Sequence, residues 1–457
     1  MQRGAGGNPA KAGYLPQEPR RCRVRREARR KFLKRVQRET FCKKFLSGRR
    51  RHLLSAPSSS PSPQKLVFLI ADGMGDTPVP ALGGKTPMEA AHTPHMDRLA
   101  REGRVGLCRT VPDGMVPGSD VANMSLLGFD PAAHHTGRGP IEAAAMGLAL
   151  DPDDVVFRLN TVTVSEFADA GLMRDYSAGH IATGVSRALV ERIGRECCPD
   201  GYELHPGIQY RHLLVAKGAA GREEARVAVR PPHDITDQGI APDLVELRRA
   251  PALWDFAACA AEMLAGPDNG SKANAVWPWG QGRALSLPDF TATFGLRGAV
   301  VSAVDLVKGL GRAAGMAVLD VPGATGLLDT DYEGKVAAAL EFLKDGDFVF
   351  VHVEAPDECG HGGDAAGKTE AVARFDARVV GPMLEALGNR AAFLIACDHP
   401  TPIAIRTHTA DPVPFLFWKR GVVPSGAAAF SEREAGKTGL VVAPGHRLLP
   451  EAAAWSR

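Results

Sequence analysis

Leu66-Val67-Phe68-Leu69-Ile70-Ala71 runs directly into Asp72-Gly73-Met74-Gly75-Asp76. A short unbroken apolar run with β-branched and aromatic residues reads as a strand buried on both faces of a parallel sheet. The pattern recurs twice. Phe348-Val349-Phe350-Val351-His352-Val353 leads to Asp357-Glu358-Cys359-Gly360-His361, and Ala391-Ala392-Phe393-Leu394-Ile395-Ala396-Cys397 leads to Asp398-His399. Chemistry in open α/β sheets collects beyond the carboxyl ends of the strands. Three strands that each deliver an acid, two of them with a histidine, predict a site at that edge.

The chain of 457 residues is long enough for two or three domains, and its 44% hydrophobic content is that of an ordinary globular protein. No apolar run of about 18 residues occurs, so no membrane span is expected. The net charge of +3 hides two opposite parts: Met1 to His52 carries eighteen Lys/Arg against three Glu, while the rest carries 37 against 49 acids. The body is therefore acidic. Arg20 to Arg51 and the Pro/Ser linker at Ser55–Ser62 read as a basic arm. Three readings stand for it: a non-specific nucleic-acid tail, a targeting segment without the apolar core of a secretory signal, or a start site set too far upstream. The last, or a dispensable tail, is preferred, although no methionine lies between Met1 and Met74. Eight cysteines without a CxxC pair suit reduced thiols in a cytoplasmic protein better than a disulfide framework.

After the first strand, Thr93-Pro94-His95 opens a predicted helix with Thr93 as its N-cap. Pro117-Gly118-Ser119-Asp120 reads as a glycine turn placing Ser119 at the start of another helix, where backbone N–H groups favour a phosphate. From about Asp151 to Gly298 the texture changes. Strands at Val155–Val164 and Tyr210–Ala216 mix with helical runs at Val185–Glu196 and Asp243–Leu264. The α/β pattern then resumes with strand Ala299–Val304, helix Asp305–Gly311, strand Met316–Asp320 and helix Tyr332–Lys344. The expected architecture is an α/β core, residues 65–150 and 299–457, with a mostly parallel sheet flanked by helices. An α+β cap, 151–298, is inserted into it, and a tail, 1–64, precedes it.

Paired divalent ions need carboxylates and imidazoles on convergent strand ends. Asp72, Asp398 and His399 suit one ion with the Ser119 hydroxyl as fourth ligand; Asp357, His361 and His408 suit the other. Coordination would activate a serine that is otherwise a weak nucleophile. An anionic substrate would be held by Arg138, in a Gly-Arg-Gly turn, by Asn123 one turn past Ser119, and by loop residues Arg174, Asp175, His180, Arg211, His233 and Arg283. Taken singly, each of these residues has an ordinary structural explanation. Together they define a phosphoryl-transfer site.

The motifs Asp72-Gly73-Met74-Gly75-Asp76, Gly118-Ser119-Asp120-Val121-Ala122-Asn123, Thr136-Gly137-Arg138-Gly139-Pro140, Asp357-Glu358-Cys359-Gly360-His361, Cys397-Asp398-His399-Pro400 and Thr407-His408-Thr409-Ala410-Asp411-Pro412 resemble the alkaline phosphatase superfamily. Within it, the chain from about Lys65 to Glu451 is similar to cofactor-independent phosphoglycerate mutases of the archaeal type. That resemblance implies two divalent ions, manganese before zinc or magnesium, and a small phosphorylated acid as substrate. It also implies that Ser119 becomes phosphoserine and that the cap shuts out water while glycerate turns.

One position departs from the expectation of a lysine near the third motif: this chain has Glu354. His352-Val353-Glu354-Ala355-Pro356-Asp357-Glu358 resembles a bacterial subgroup proposed to be homoserine kinases. Glu354 would recruit an amino group or another metal, or would support a ligand histidine from behind. A P-loop kinase is excluded, because Gly84-Lys85-Thr86 lacks the first glycine of the motif at Val79. A nucleic-acid-binding protein led by the arm is disfavoured by the acidic body and by the scarcity of aromatic residues.

Overall fold

A computed structural model describes residues 65–456, so the basic arm and its linker lie outside the described residues. Two strands come first, β1 (Lys65–Ala71) and β2 (Arg104–Cys108). Five follow: β3 (Val155–Val164), β4 (Met173–Asp175), β5 (Tyr202–His205), β6 (Arg211–Ala216) and β7 (Ala275–Arg283). The last six are β8 (Gly298–Val301), β9 (Ala317–Val318), β10 (Phe348–Val353), β11 (Ala391–Ala396), β12 (Val413–Trp418) and β13 (Val441–Val442).

Eight strands make one sheet in the order β13-β2-β12-β11-β1-β10-β8-β9. β1 lies between β10 and β11, parallel to both. Every residue of β10 and β11 is buried, as is all of β1 after Lys65. That burial is why these strands read as unbroken apolar runs. β12 runs antiparallel to β11 and β2, so the sheet is mostly parallel rather than wholly so.

β3 to β7 form a second, antiparallel sheet. It has its own apolar core around Trp277, Phe256, Phe157 and Leu253. The helix Arg138–Met146 joins the two sheets. A Cβ at Gly139 would run into the Val156 carbonyl of β3, and one at Gly309, in the helix Asp305–Ala313, would run into the Ile141 carbonyl. Glycine at both positions lets backbones meet closely, which fixes Arg138 between the sheets.

Four local expectations are corrected. The predicted helix Asp243–Leu264 is two helices, Ala241–Arg248 and Pro251–Leu264; Pro251 has no N–H to continue the first and starts the second. The strand expected over Met316–Asp320 is only Ala317–Val318, at the sheet's edge with one neighbour. Thr93 occupies the N-cap position but its side chain makes no capping bond. The free N–H groups of Met96 and His95 instead donate to Asp376, at 2.7 and 3.2 Å. Finally, Cys197 and Cys259 are disulfide-bonded, with Cα atoms 5.6 Å apart. The two positions are 62 residues apart and meet where the end of the helix Thr183–Glu196 reaches Cys259 of the helix Pro251–Leu264, which spacing in the sequence cannot reveal.

One buried imidazole yields a pH prediction. Nδ1 of His212 accepts from the Gly207 N–H at 3.1 Å, and its Nε2 lies 2.8 Å from Ser186 Oγ. The ring is therefore neutral, and burial, aided by Arg187, lowers its pKa to about 4. The unfolded chain takes up a proton near pH 6.5 while the folded chain does not. Stability from this group is thus full above 6.5 and is lost as pH falls toward 4, by roughly 3 kcal/mol in all. Unfolding measured from pH 7 to 4.5 should show a steeper loss for wild type than for His212→Gln.

Candidate active site

The period of two along a strand explains why the acids converge. Ile70 of β1 is level with His352 of β10 and with Ala396 of β11. Asp72 and Asp398 each follow two residues later, so they stand beyond their strand ends on the same face as His352, which lies within β10. Gly73 takes a left-handed φ of 61°, and a Cβ there would sit 2.7 Å from Asp357 Cα. Glycine is required at this turn because Asp357 closes over it.

The structure brings all seven predicted ligand residues together. Nε2 of His399 lies 3.6 Å from Asp72 Oδ1, 3.5 Å from Asp398 Oδ2 and 3.0 Å from Ser119 Oγ. Asp357 stands 3.3 Å from His361 Nε2 and 3.5 Å from His408 Nε2. The His361 and His408 Nε2 atoms are 2.9 Å apart, and the His399 and His408 rings have centroids 4.0 Å apart. Ser119 opens the helix Ser119–Leu126 after Gly118.

Hydrogen bonds set the tautomers. His361 Nδ1 faces the Arg406 carbonyl at 3.0 Å; a carbonyl only accepts, so Nδ1 carries the proton. The Thr401 hydroxyl donates to Asp357 Oδ1 at 2.5 Å, leaving its oxygen to accept from His399 Nδ1 at 3.3 Å. Both imidazoles therefore carry a proton on Nδ1 and present Nε2 to the carboxylates, the orientation that metal-ligating histidines take. Asp398 is held by N–H groups of Gly73 at 3.0 Å and His399 at 2.8 Å, and by Asn123 Nδ2 at 2.9 Å.

The electrostatics also fit cations. Burial, with Asp398 and Asp357 close by, pushes the Asp72 carboxyl well up. Asp357 goes the other way: burial would raise it, but His361 and His408 outweigh burial and hold it well down. Asp72 Oδ1 is buried without a hydrogen-bond partner. Among the described residues, three groups have ligand atoms close enough to share an ion: Asp357, His361 and His408; Asp72, Asp357 and His399; Asp72, His352 and Asp398. A bare cluster of this kind costs free energy that cations would offset.

The predicted substrate residues divide. Arg138 Nε reaches Asp120 Oδ2 at 3.3 Å, and a Cβ at Gly118 would meet the Arg138 guanidinium at 2.9 Å, so this arginine lies against the Ser119 turn. Asn123 also donates to the Ser119 carbonyl at 2.9 Å. Arg211 stacks on Tyr210, and its charge is felt at Glu358 beside Asp357. His233 packs on Trp279 with centroids 5.3 Å apart and feels Arg138, Arg158 and Arg211. The other four are occupied elsewhere. Arg174 pairs with Asp237, Arg283 donates to the Ala220 carbonyl, Asp175 binds its own turn through Ser177 and Gly179, and His180 is exposed at a φ of 52°.

Sequence reasoning missed Arg158, half-buried over Trp279 at 4.2 Å with Nε 3.0 Å from Glu142. It lies within β3, where alternation reads only as packing. Glu354 is buried among groups of the protein itself. Its oxygens meet Lys335 Nζ at 2.6 Å, Ser302 Oγ at 2.8 Å and the Ala303 N–H at 2.7 Å, and His352 Nδ1 is 3.2 Å away. Cys397 is a buried thiol accepting from the Gly75 N–H, not a ligand.

Comparison with known proteins decides the family. A Methanothrix thermoacetophila protein named 2,3-bisphosphoglycerate-independent phosphoglycerate mutase is 47% identical over 397 residues, spanning 84% of this chain and 98% of that one. This chain belongs to that mutase family. A Geobacter sulfurreducens relative, named as a probable mutase of the same kind, is 46% identical over 396 residues, 84% of this chain and 98% of its own. The profile of the phosphoglycerate mutase family, described as 2,3-bisphosphoglycerate-independent, matches residues 100–268. A solved Pyrococcus horikoshii protein superposes with a TM-score of 0.73 at 31% identity, covering 86% of this chain and 97% of that one. The cofactor-independent phosphoglycerate mutase of Thermoplasma acidophilum superposes with a TM-score of 0.58 at 25% identity, covering 86% and 100%. No helix among the described residues of this family member is long and apolar enough to cross a membrane.

Proposed function

We propose that the chain interconverts 3-phosphoglycerate and 2-phosphoglycerate through a phosphoserine at Ser119, as a metal-dependent isomerase. The observation that carries this reading is the Ser119 hydroxyl at the start of a helix, 3.0 Å from His399 Nε2, amid the buried acids. Asp72, Asp398, His399 and Ser119 would hold one divalent ion and Asp357, His361 and His408 a second, manganese in our reading. These ions would supply Lewis acidity that favours the serine alkoxide and neutralises phosphoryl oxygens.

The chain's own groups do the rest. The first N–H groups of the helix Ser119–Leu126 face the phosphoryl position, where the helix dipole favours negative charge. Arg138 reaches the same turn from the joining helix and would clamp a phosphoryl oxygen pair. Ser119 Oγ bonds to phosphorus as the bond to the 3-oxygen breaks, and the proton that the serine gives up ends on that oxygen. On return the 2-oxygen bonds to phosphorus as the Oγ–P bond breaks, and the 2-hydroxyl proton restores the Ser119 hydroxyl. Arg158, Arg211 and His233 would keep the freed glycerate by its carboxylate until its 2-hydroxyl attacks the phosphoserine. A closed cap keeps water from taking the phosphoryl group, which would turn the mutase into a phosphatase.

The homoserine kinase reading rested on the resemblance of His352-Val353-Glu354-Ala355-Pro356-Asp357-Glu358 to that bacterial subgroup, with Glu354 recruiting an amino group or another metal, or supporting a ligand histidine. That carboxylate is buried against Lys335, Ser302 and His352, and so favours support of a histidine. Purified protein with added Mn²⁺, assayed with 3-phosphoglycerate and separately with homoserine plus ATP, tests the choice. Equilibration with 2-phosphoglycerate and no ADP is expected; ADP formation that depends on homoserine would reverse the assignment.

A further inference from the structure

We infer that His352 is a further ligand of the metal centre, sharing a cation with Asp72 and Asp398, and that Lys335 and Glu354 hold it in place. This inference rests on the proposed metal dependence, and on four observations about a residue buried inside an apolar strand.

First, His352 repeats the pattern of His361 and His399. Its Nδ1 lies 3.2 Å from a carboxylate, Glu354 Oε1, which only accepts, so the proton sits on Nδ1 and faces away from the cluster. Second, the other nitrogen has nothing to bind. Nε2 is fully buried, has no hydrogen-bond partner, and points at Asp72 Oδ2, 3.3 Å away, and Asp398 Oδ2, 4.0 Å away. A buried nitrogen aimed at two carboxylates calls for something positive between them, a cation or a proton. Two donor atoms bound to one small cation at about 2.1 Å lie roughly 3.0–3.5 Å apart, so the shorter separation already suits a shared ion. Third, Asp72 turns its two oxygens to different histidines: Oδ1 toward His399 and Oδ2 toward His352. His352 thus approaches the carboxylate from the side that His399 leaves open.

Fourth, the support behind His352 is charged, buried and complete. Lys335 has no exposure, and its Nζ donates to Glu354 Oε2 at 2.6 Å and to the His352 carbonyl at 2.8 Å. Glu354 also accepts from Ser302 Oγ and the Ala303 N–H. An ammonium and a carboxylate removed from water at this cost, with one partner on the imidazole itself, orient a ligand as the outer partners of metal histidines do.

Cation binding to the full chain, measured by equilibrium dialysis with Mn²⁺ or Co²⁺ and read as affinity and ions per chain, tests the assignment. His352→Ala should weaken one cation by at least about a hundredfold, and Glu354→Gln by about tenfold, while the Asp357–His361–His408 position binds as before. An imidazolium that merely neutralises Asp72 would leave His352→Ala binding metal as well as or better than wild type, which would overturn the proposal. If His352→Ala does not fold, Mn²⁺-loaded wild type labelled with ¹⁵N-histidine gives the answer by electron paramagnetic resonance. Four coordinated imidazoles support the assignment, and three refute it. A wild-type chain that takes up no cation would remove the metal reading itself, an outcome distinct from equal loading of wild type and variant.

Discussion

Ser119→Ala should lower phosphoglycerate mutase activity by at least about four orders of magnitude while leaving the fold in place. Without the hydroxyl no covalent carrier exists, and positioning and charge alone recover only a small part of the rate of a nucleophilic enzyme. The side chain is half-exposed at the first position of its helix, and its removal leaves Asn123 bound to Asp398. The unfolding midpoint should therefore stay within about 2 °C of wild type. Activity within tenfold of wild type would show that the phosphoryl group travels by another route.

Asp398→Asn should be nearly as damaging. An asparagine keeps the shape and can still accept from the Gly73 and His399 N–H groups. Its amide nitrogen, however, would face Asn123 Nδ2 and the place where a cation is shared. Loss of one bound cation and about three orders of magnitude in activity are expected; a strong chelator should reproduce the activity loss, reversibly on adding Mn²⁺. In the metal-free state the variant relieves Asp72 of one neighbouring charge, but burial of Asp398 itself is outweighed by His399 and His352, which hold its carboxyl down, and the bond from Asn123 is lost. The metal-free variant should therefore melt below metal-free wild type, and the gap should widen with metal. Calorimetry of both forms with and without Mn²⁺ checks both expectations.

Much of this site was legible because strand ends fix it. Asp72, Asp398 and Asp357 stand just past three apolar runs, and a central parallel strand cannot place its following residue far from its neighbours'. Ser119 was legible for a similar reason, since a glycine turn before a helix leaves few directions for its side chain. His352 was hidden by its setting: inside Phe-Val-Phe-Val-His-Val it reads as one more buried position, and only the register of β10 against β1 brings it level with Ile70. The second sheet was less readable. Arg158 and Arg174 both sit in alternating strands, yet one turns inward over Trp279 and the other outward to Asp237. Which face is inner depends on how β3 packs on the helix Arg138–Met146, a contact set by Gly139 and far from either residue in the pattern. The Cys197–Cys259 bond was invisible because its two cysteines stand 62 residues apart in the chain.

The central claim is that the phosphoryl group rests on Ser119 between its two positions on glycerate. Its most direct test is rapid acid quenching of wild-type protein mixed with less than one equivalent of ³²P-labelled 3-phosphoglycerate in Mn²⁺, followed by peptide mapping. The label should appear, within the first turnover, on the peptide carrying Ser119, and pass on to 2-phosphoglycerate. Conversion of substrate to product with the label on another residue, or never on the protein, would contradict the account.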